Sequence, residues 1–208
     1  MKISLRKDLS IIAEIINHNE KVLDVGCGDG KLLDYLSKEK NVDCRGIELK
    51  QTGVNDCVRK GLSVIQGDAN VDLNNYPSKA FSTVVLSQTI QAMNYPDKVI
   101  ENLIRIGNRA IISIPNFGFW RIRKEFLFNG QMPKNKILPF EWYNTPNIHL
   151  CSYDDFLKYC FSKKIFVNKI ISLNESGKIS KNSFFRNLLC YQVIFCISKK
   201  IIVDNDKS

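Results

Sequence analysis

At 208 residues, 44% of them hydrophobic and 25% charged, the chain has the size of one large domain and an ordinary globular composition, which excludes disordered, collagen-like and coiled-coil proteins. The net charge of +9 is uneven: residues 163–208 hold nine Lys/Arg against three Asp/Glu, so the rest is nearly balanced and a basic nucleic-acid-binding face is disfavoured. Seven cysteines without a C-x-x-C pair, beside two histidines, argue against a disulfide framework or a structural zinc site. With no secretory leader pattern and no apolar run near the ~18 residues of a membrane span, they point to a reduced, cytoplasmic setting, with neither metal nor membrane as partner.

Leu9, Ile12, Ala13 and Ile16 recur at helical spacing and predict an opening amphipathic helix, with Asp8 or Ser10 as its cap. Val22–Val25 then reads as a short β-branched strand that ends in Gly26-Cys-Gly-Asp-Gly30, and Lys31–Leu36 resumes helical spacing. A second unit follows, with Cys44–Leu49 as strand and Val54–Lys60 as helix. Leu62–Gln66 is a third strand and Phe81–Ser87 a fourth. A helix over about Asp97–Ile106 leads to a fifth strand, Ala110–Ile114, stopped by Pro115. Alternating strands and helices predict an α/β fold with a mostly parallel sheet.

Residues 116–150 break this rhythm. Asn116–Phe128 is aromatic and basic, and prolines follow at 133, 139 and 146, so the segment reads as an insertion that shapes a site. Ser152-Tyr-Asp-Asp155 resembles a capping box and starts a helix through Phe161. Ile165–Ile171 and Tyr191–Ile197 complete seven strands. Lys178, Lys181 and Arg186 read as a solvated connection between these two, and residues 201–208 as a frayed tail after a single domain over 1–200.

Ligands of parallel sheets bind outside the carboxyl ends of the strands, which singles out residues directly after the first four. Gly26 and Gly28 let the backbone turn tightly and approach a ligand, a reading that competes with a purely structural strand end. The third glycine comes one residue early for the G-x-G-x-x-G dinucleotide fingerprint, with Lys31 in its place, so a pyrophosphate cradle is disfavoured. Glu48 is placed to accept from two ribose hydroxyls and Asp68 from an adenine amino group, unless they are a solvated strand-end acid and a turn-forming Asp.

Asp24-Val-Gly-Cys-Gly-Asp-Gly30, Glu48 and Gly67-Asp68 resemble the cofactor-binding set of class I S-adenosylmethionine-dependent methyltransferases. More narrowly, Gln66-Gly-Asp68, Leu86-Ser-Gln-Thr-Ile-Gln91, Ser113-Ile-Pro-Asn-Phe-Gly118, Trp120-Arg-Ile-Arg123 and Pro139-Phe-Glu-Trp-Tyr-Asn-Thr-Pro-Asn-Ile-His-Leu-Cys151 resemble the methionine biosynthesis protein MetW family. The resemblance implies a Rossmann-like fold with a seven-stranded sheet, its last strand antiparallel and helices on both faces. It implies S-adenosylmethionine or S-adenosylhomocysteine as cofactor. Asp24 would orient the ammonium, Gly26 and Gly28 would admit the methionine part, and Cys27 and Ser87 would belong to the lining. It also implies an association with homoserine O-acyltransferase in methionine biosynthesis.

Whether methyl transfer occurs is left open by the residues. Ser87-Gln-Thr-Ile stands where nucleobase-methylating relatives carry Asn/Asp-Pro-Pro-Tyr, and Cys27 reads as a small packing residue rather than a nucleophile. His149 is the candidate for a general base, weighed against an imidazole that fastens the insertion. Trp120, Arg121, Arg123, Trp142 and Tyr143 form a candidate contact surface for a partner or substrate, with a lid or an RNA platform as alternatives. Two functions remain: a cofactor-binding protein that supports or regulates the acyltransferase, and a genuine methyltransferase acting on a small molecule.

Overall fold

The computed structural model describes residues 5–180 and 184–199. Its elements run α1 (Lys7–Ile15), β1 (Lys21–Val25), α2 (Lys31–Lys40), β2 (Asp43–Glu48), α3 (Gln51–Arg59), β3 (Val64–Gln66), β4 (Phe81–Ser87) and α4 (Pro96–Ile106). They continue with β5 (Gly107–Pro115), α5 (Trp120–Asn129), α6 (Tyr153–Ser162), β6 (Phe166–Leu173), α7 (Arg186–Leu189) and β7 (Gln192–Ser198), and short 3-10 turns lie at Asp72–Asn75 and Ile90–Ala92. The tail 201–208 and Lys181 fall outside the described residues.

Strand alternation fixes where the core lies. In β1, Leu23 and Val25 face one side and Val22 the other; in β4, Val84 and Leu86 oppose Val85; in β7, Val193, Phe195 and Ile197 oppose Ile194 and Cys196. Successive side chains point to opposite faces, and both sets are buried here, which is why the strands read as continuous apolar runs. Ile12, Ala13 and Ile16 from the α1 region, with Leu32 and Leu36 of α2, cover one face. Val99, Ile100 and Leu103 of α4, with Phe156 of α6, cover the other, where Phe156 stacks on Phe195 with ring centroids 4.5 Å apart.

The sheet has the order β3-β2-β1-β4-β5-β7-β6. β1, β2, β3, β4 and β5 pair in parallel, and β7 runs antiparallel between β5 and β6. Order reverses between β1 and β4, and the register Val25↔Leu86 sets Gly26 beside Ser87 at this switch point, where open α/β sheets hold ligands.

Local readings are corrected in three places. Neither Asp8 nor Ser10 caps α1: its N-cap is Arg6, and Asp8 lies inside the first turn, buried and paired to Arg6. The 116–150 segment contains a helix, α5, ended by Gly130 in the left-handed region, and a small apolar cluster of Phe117, Phe119, Ile122, Ile137 and Leu138. The connection before β7 also carries the single helical turn α7. The capping box is present as read: Ser152 accepts from the Asp155 amide while the Asp155 carboxylate accepts from the Ser152 amide.

Among the described residues no helix is long and apolar enough to cross a membrane, and no three His, Cys, Asp or Glu side chains group to hold a metal ion. No disulfide joins any two cysteines among the described residues.

Candidate functional site

The turn after β1 is built for close approach. Gly26 and Gly28 both sit at positive φ, +71° and +57°, a region that L side chains rarely adopt. A Cβ on Gly26 would press on the Thr89 side chain at 3.0 Å, whereas one on Gly28 would meet nothing within 4 Å, so Gly28 borders open space. The Gly26 amide donates to the Ile47 carbonyl at 2.8 Å, tying the turn to β2. Cys27 packs its thiol toward β2, where a Cβ on Gly46 would fall 2.8 Å from Cys27 Sγ. Burial, together with nearby Asp24, Cys57 and Glu48, pushes this thiol far above its ordinary range, so it is held protonated and inert.

Two acids flank the turn in contrasting states. Glu48, at the end of β2, is buried and accepts from the Gly28 amide through Oε2 and from the Lys50 amide through Oε1, each at 2.9 Å. Asp24, on β1, is 4% exposed and has no hydrogen-bond partner among the described residues. Burial lifts its pKa to about 7, the neighbouring Glu48 adds to the rise, and the Arg6 guanidinium opposes it. Asp68 follows β3 half-buried. Its Oδ1 accepts from the Asn70 amide and side chain, and its own amide donates to Asp72 Oδ2 at 2.7 Å, which are turn-forming contacts.

At the ends of β4, β5 and β7 lies a polar cluster that sequence reasoning passed over, apart from Ser87. Asp8 accepts from Arg6 Nε at 2.6 Å and Nη2 at 2.9 Å, from Ser87 Oγ at 3.2 Å and from Gln192 Nε2 at 3.0 Å. Burial alone would raise the Asp8 pKa, but these donors and the charge of Arg6 hold it below the ordinary carboxylate value. Ser87 Oγ also accepts from Arg6 Nη2 at 2.9 Å and lies 3.0 Å from Ser113 Oγ. Gln88 takes positive φ, +51°, with its amide bonded to Ser113, so the loop beside Gly26 is held in an uncommon conformation. The legible signal was an Arg-x-Asp pair at the start of an amphipathic helix.

The remaining candidates lie apart from the turn. The His149 imidazole is exposed and has no hydrogen-bond partner among the described residues; the backbone amides of Ile148 and His149, rather than the ring, fasten the segment to the Gln91 carbonyl at 2.8 and 2.9 Å. Trp142 and Tyr143 are 75% and 70% exposed and pack edge to face. Trp120 is partly exposed under the Arg121 guanidinium, which pairs with Glu175, and Arg123 donates to the Gly118 carbonyl. A cavity of about 290 Å³ lies between the loop after β4 and the 116–150 segment, bordered by Gln88, Gln91, Lys136, Asn147, Tyr191 and Gln192.

Against known proteins, the sequence profile of the family described as "Methionine biosynthesis protein MetW" matches residues 6–197. The bifunctional methionine biosynthesis protein MetXA/MetW of Rhodopirellula baltica is 32% identical over 154 residues, which are 70% of this chain and 25% of that protein. A fatty-acid O-methyltransferase of Mycolicibacterium smegmatis is 36% identical over 81 residues, 36% of this chain and 29% of that one. The chain thus spans a quarter to a third of the length of these relatives. Among solved structures, an S-adenosylmethionine-dependent methyltransferase of Thermotoga maritima, a possible histamine N-methyltransferase, superposes with TM-score 0.68 at 15% identity, over 93% of this chain and 88% of that one. The [4+2]-cyclase SpnF superposes with TM-score 0.66 at 14% identity, over 94% and 82%. The fold is the Rossmann-like class I methyltransferase fold, and the chain belongs to the methionine biosynthesis protein MetW family.

Proposed function

We propose that this chain binds S-adenosylmethionine or S-adenosylhomocysteine at the carboxyl ends of β1, β2 and β4 and, in the cytoplasm, supports or regulates homoserine O-acyltransferase. The observation that carries the binding half is Asp24: a buried carboxylate with no hydrogen-bond partner among the described residues, next to a glycine turn that opens onto free space. Burying a carboxylate unpaired is costly, and a ligand ammonium removes that cost. Glu48 suits a ribose diol, because each of its oxygens has one backbone donor and keeps a lone pair. Gly26, Cys27, Gly28 and Ser87 would line the methionine part, and Asp68 would face the adenine. When bound, the cofactor supplies a sulfonium whose charge makes its methyl group electrophilic.

The acyltransferase half rests on the family and on a relative whose name joins MetXA and MetW. Trp120, Arg121, Arg123, Trp142 and Tyr143 are our contact surface for that partner, since exposed aromatics with interleaved arginines are the side chains that dominate interface hot spots. The loop after β4 touches both regions: Thr89 lies against Gly26, and Gln91 holds residues 148 and 149. The test is titration of the purified chain with S-adenosylmethionine in a calorimeter, then measurement of acyltransferase affinity with and without it. Differing affinities support regulation; equal affinities leave only a supporting scaffold, and no cofactor binding rejects the site.

A second reading, a small-molecule methyltransferase, is favoured by the cavity of about 290 Å³ beside Gln88 and Gln91, which would hold an acceptor near the turn. It would act by positioning more than by a base, given the exposed imidazole of His149. Methyl turnover that survives His149→Ala would support it.

A further inference from the structure

We propose that Arg6 is the carboxylate-recognising residue of this cleft, so that Arg6 and Asp24 together select a ligand that carries an intact α-amino-acid end. The proposal rests on the cofactor reading above and adds to it a specificity-determining residue.

The argument starts with how the guanidinium is held. Arg6 grips Asp8 through Nε and Nη2 and shares Nη2 with Ser87 Oγ, while Nη1 has no partner among the described residues. The Asp8 side chain is 1% exposed and the Arg6 side chain 52%, so the anchor is fixed and the outer edge of the fork is open. Asp8 is fixed in turn by Gln192 on β7 and Ser87 on β4, which makes the fork a rigid fitting rather than a swinging surface arginine.

Its placement matches the glycine turn. Ser87 neighbours Gly26 through the register of β1 with β4. Asp24 lies between Leu23 and Val25, which face the α4 side, so alternation turns Asp24 toward the α1 side, the side from which Arg6 approaches. Arg6 is also the cation whose charge reaches Asp24. A ligand ammonium drawn to Asp24 brings its α-carboxylate to the same spot, one carbon away, where it needs a donor. A full salt pair with Asp8 alone would use Arg6 only to pin the segment before α1 to the sheet; the free Nη1 supplies that donor.

The two roles separate when the ligand is trimmed. Decarboxylated S-adenosylmethionine keeps the sulfonium, the nucleoside and the ammonium, and lacks only the carboxylate. We would measure both ligands by calorimetry on the wild-type chain, Arg6→Ala, Arg6→Lys and Asp24→Asn. The expected result is that Arg6→Ala weakens S-adenosylmethionine about tenfold or more, as for loss of a charge-assisted hydrogen bond. It leaves the decarboxylated ligand unchanged or tighter, since a nearby positive charge has been removed. Arg6→Lys recovers part of the loss, because the charge stays and the fork goes, and Asp24→Asn weakens both ligands. Equal weakening of both ligands by Arg6→Ala makes Arg6 a structural pin and overturns the proposal, as does no effect on either. Binding of the decarboxylated ligand to Arg6→Ala shows that the variant is folded. If the wild-type chain binds neither ligand, the cofactor reading fails and this proposal with it; if it binds both and Arg6→Ala is silent, only this proposal fails.

Discussion

The Gly28 amide donates to Glu48 Oε2 at 2.9 Å, so the turn after β1 is shaped by the acid at the end of β2. The same carboxylate accepts from the Lys50 amide, which orients it before any ligand arrives. Glu48→Ala should weaken S-adenosylmethionine binding by about 1–3 kcal/mol, or roughly five- to 160-fold, through loss of the ribose acceptor and of the turn it organises. Glu48→Gln should also weaken it, because one of the two amides would then face an NH₂ group. Calorimetry on the three proteins decides it, and wild-type affinity in Glu48→Ala would remove this residue from the site.

Asp24 makes binding depend on pH. Its pKa, raised by burial to about 7 from an ordinary value of 3.8, means that the folded chain retains a proton that the unfolded chain has released. Its contribution to stability is therefore fully present below about pH 4 and is lost as pH rises through about 7. A cationic amino group needs the ionised form, so affinity should move the opposite way and rise between pH 6 and pH 8. Binding near pH 7 should release protons, visible as a dependence of the calorimetric heat on the buffer's ionisation enthalpy. Asp24→Asn should flatten both profiles and be more stable than the wild-type chain at pH 8. A pH-independent affinity in the wild-type chain would show that no cation meets this acid.

Asn116 sets the geometry of the other end of the sheet. Fully buried, it donates through Nδ2 to the carbonyls of Asn187 and Cys190 at 2.8 Å and accepts through Oδ1 from the amides of Gly118 and Tyr153 at 3.0 Å. One side chain thus joins the end of β5 to the start of α6 and to α7 and its C-cap. Asn116→Ala leaves four backbone groups unpaired, and urea denaturation should show a loss of about 3 kcal/mol or more. Asn116→Asp should be no milder at neutral pH, since a carboxylate oxygen would face two carbonyls. A loss below about 1 kcal/mol in Asn116→Ala would mean that water replaces these bonds.

The legible parts were those where a single local period dominates. Val84, Val85 and Leu86 announce a strand buried on both faces, and Val99, Ile100 and Leu103 announce a one-sided helix, so the seven strands could be placed within a few residues. Gly26 and Gly28 were legible because few residues tolerate positive φ. The helix α5 was not, because its apolar residues are spread around it: Ile122 is buried while Phe126, Leu127 and Phe128 are exposed. The Arg6–Asp8 cluster was hidden for another reason. Its members come from positions 6, 8, 87, 113 and 192, and only the sheet brings them together.

Trp142 and Tyr143 pack on each other with ring centroids 5.7 Å apart and leave most of their surface to solvent. Side chains so exposed contribute little to folding, so Trp142→Ala should change stability by no more than about 0.5 kcal/mol. If this pair anchors the acyltransferase, the same change should weaken that complex at least about tenfold, as truncation of an aromatic hot spot does. Phe161 on α6 is 88% exposed and lies outside the proposed surface, which makes Phe161→Ala the control for loss of an exposed ring in general. Surface plasmon resonance with immobilised acyltransferase compares the variants directly. A selective loss in Trp142→Ala locates the interface on the 116–150 segment, whereas equal affinities for both variants would move it elsewhere on the chain.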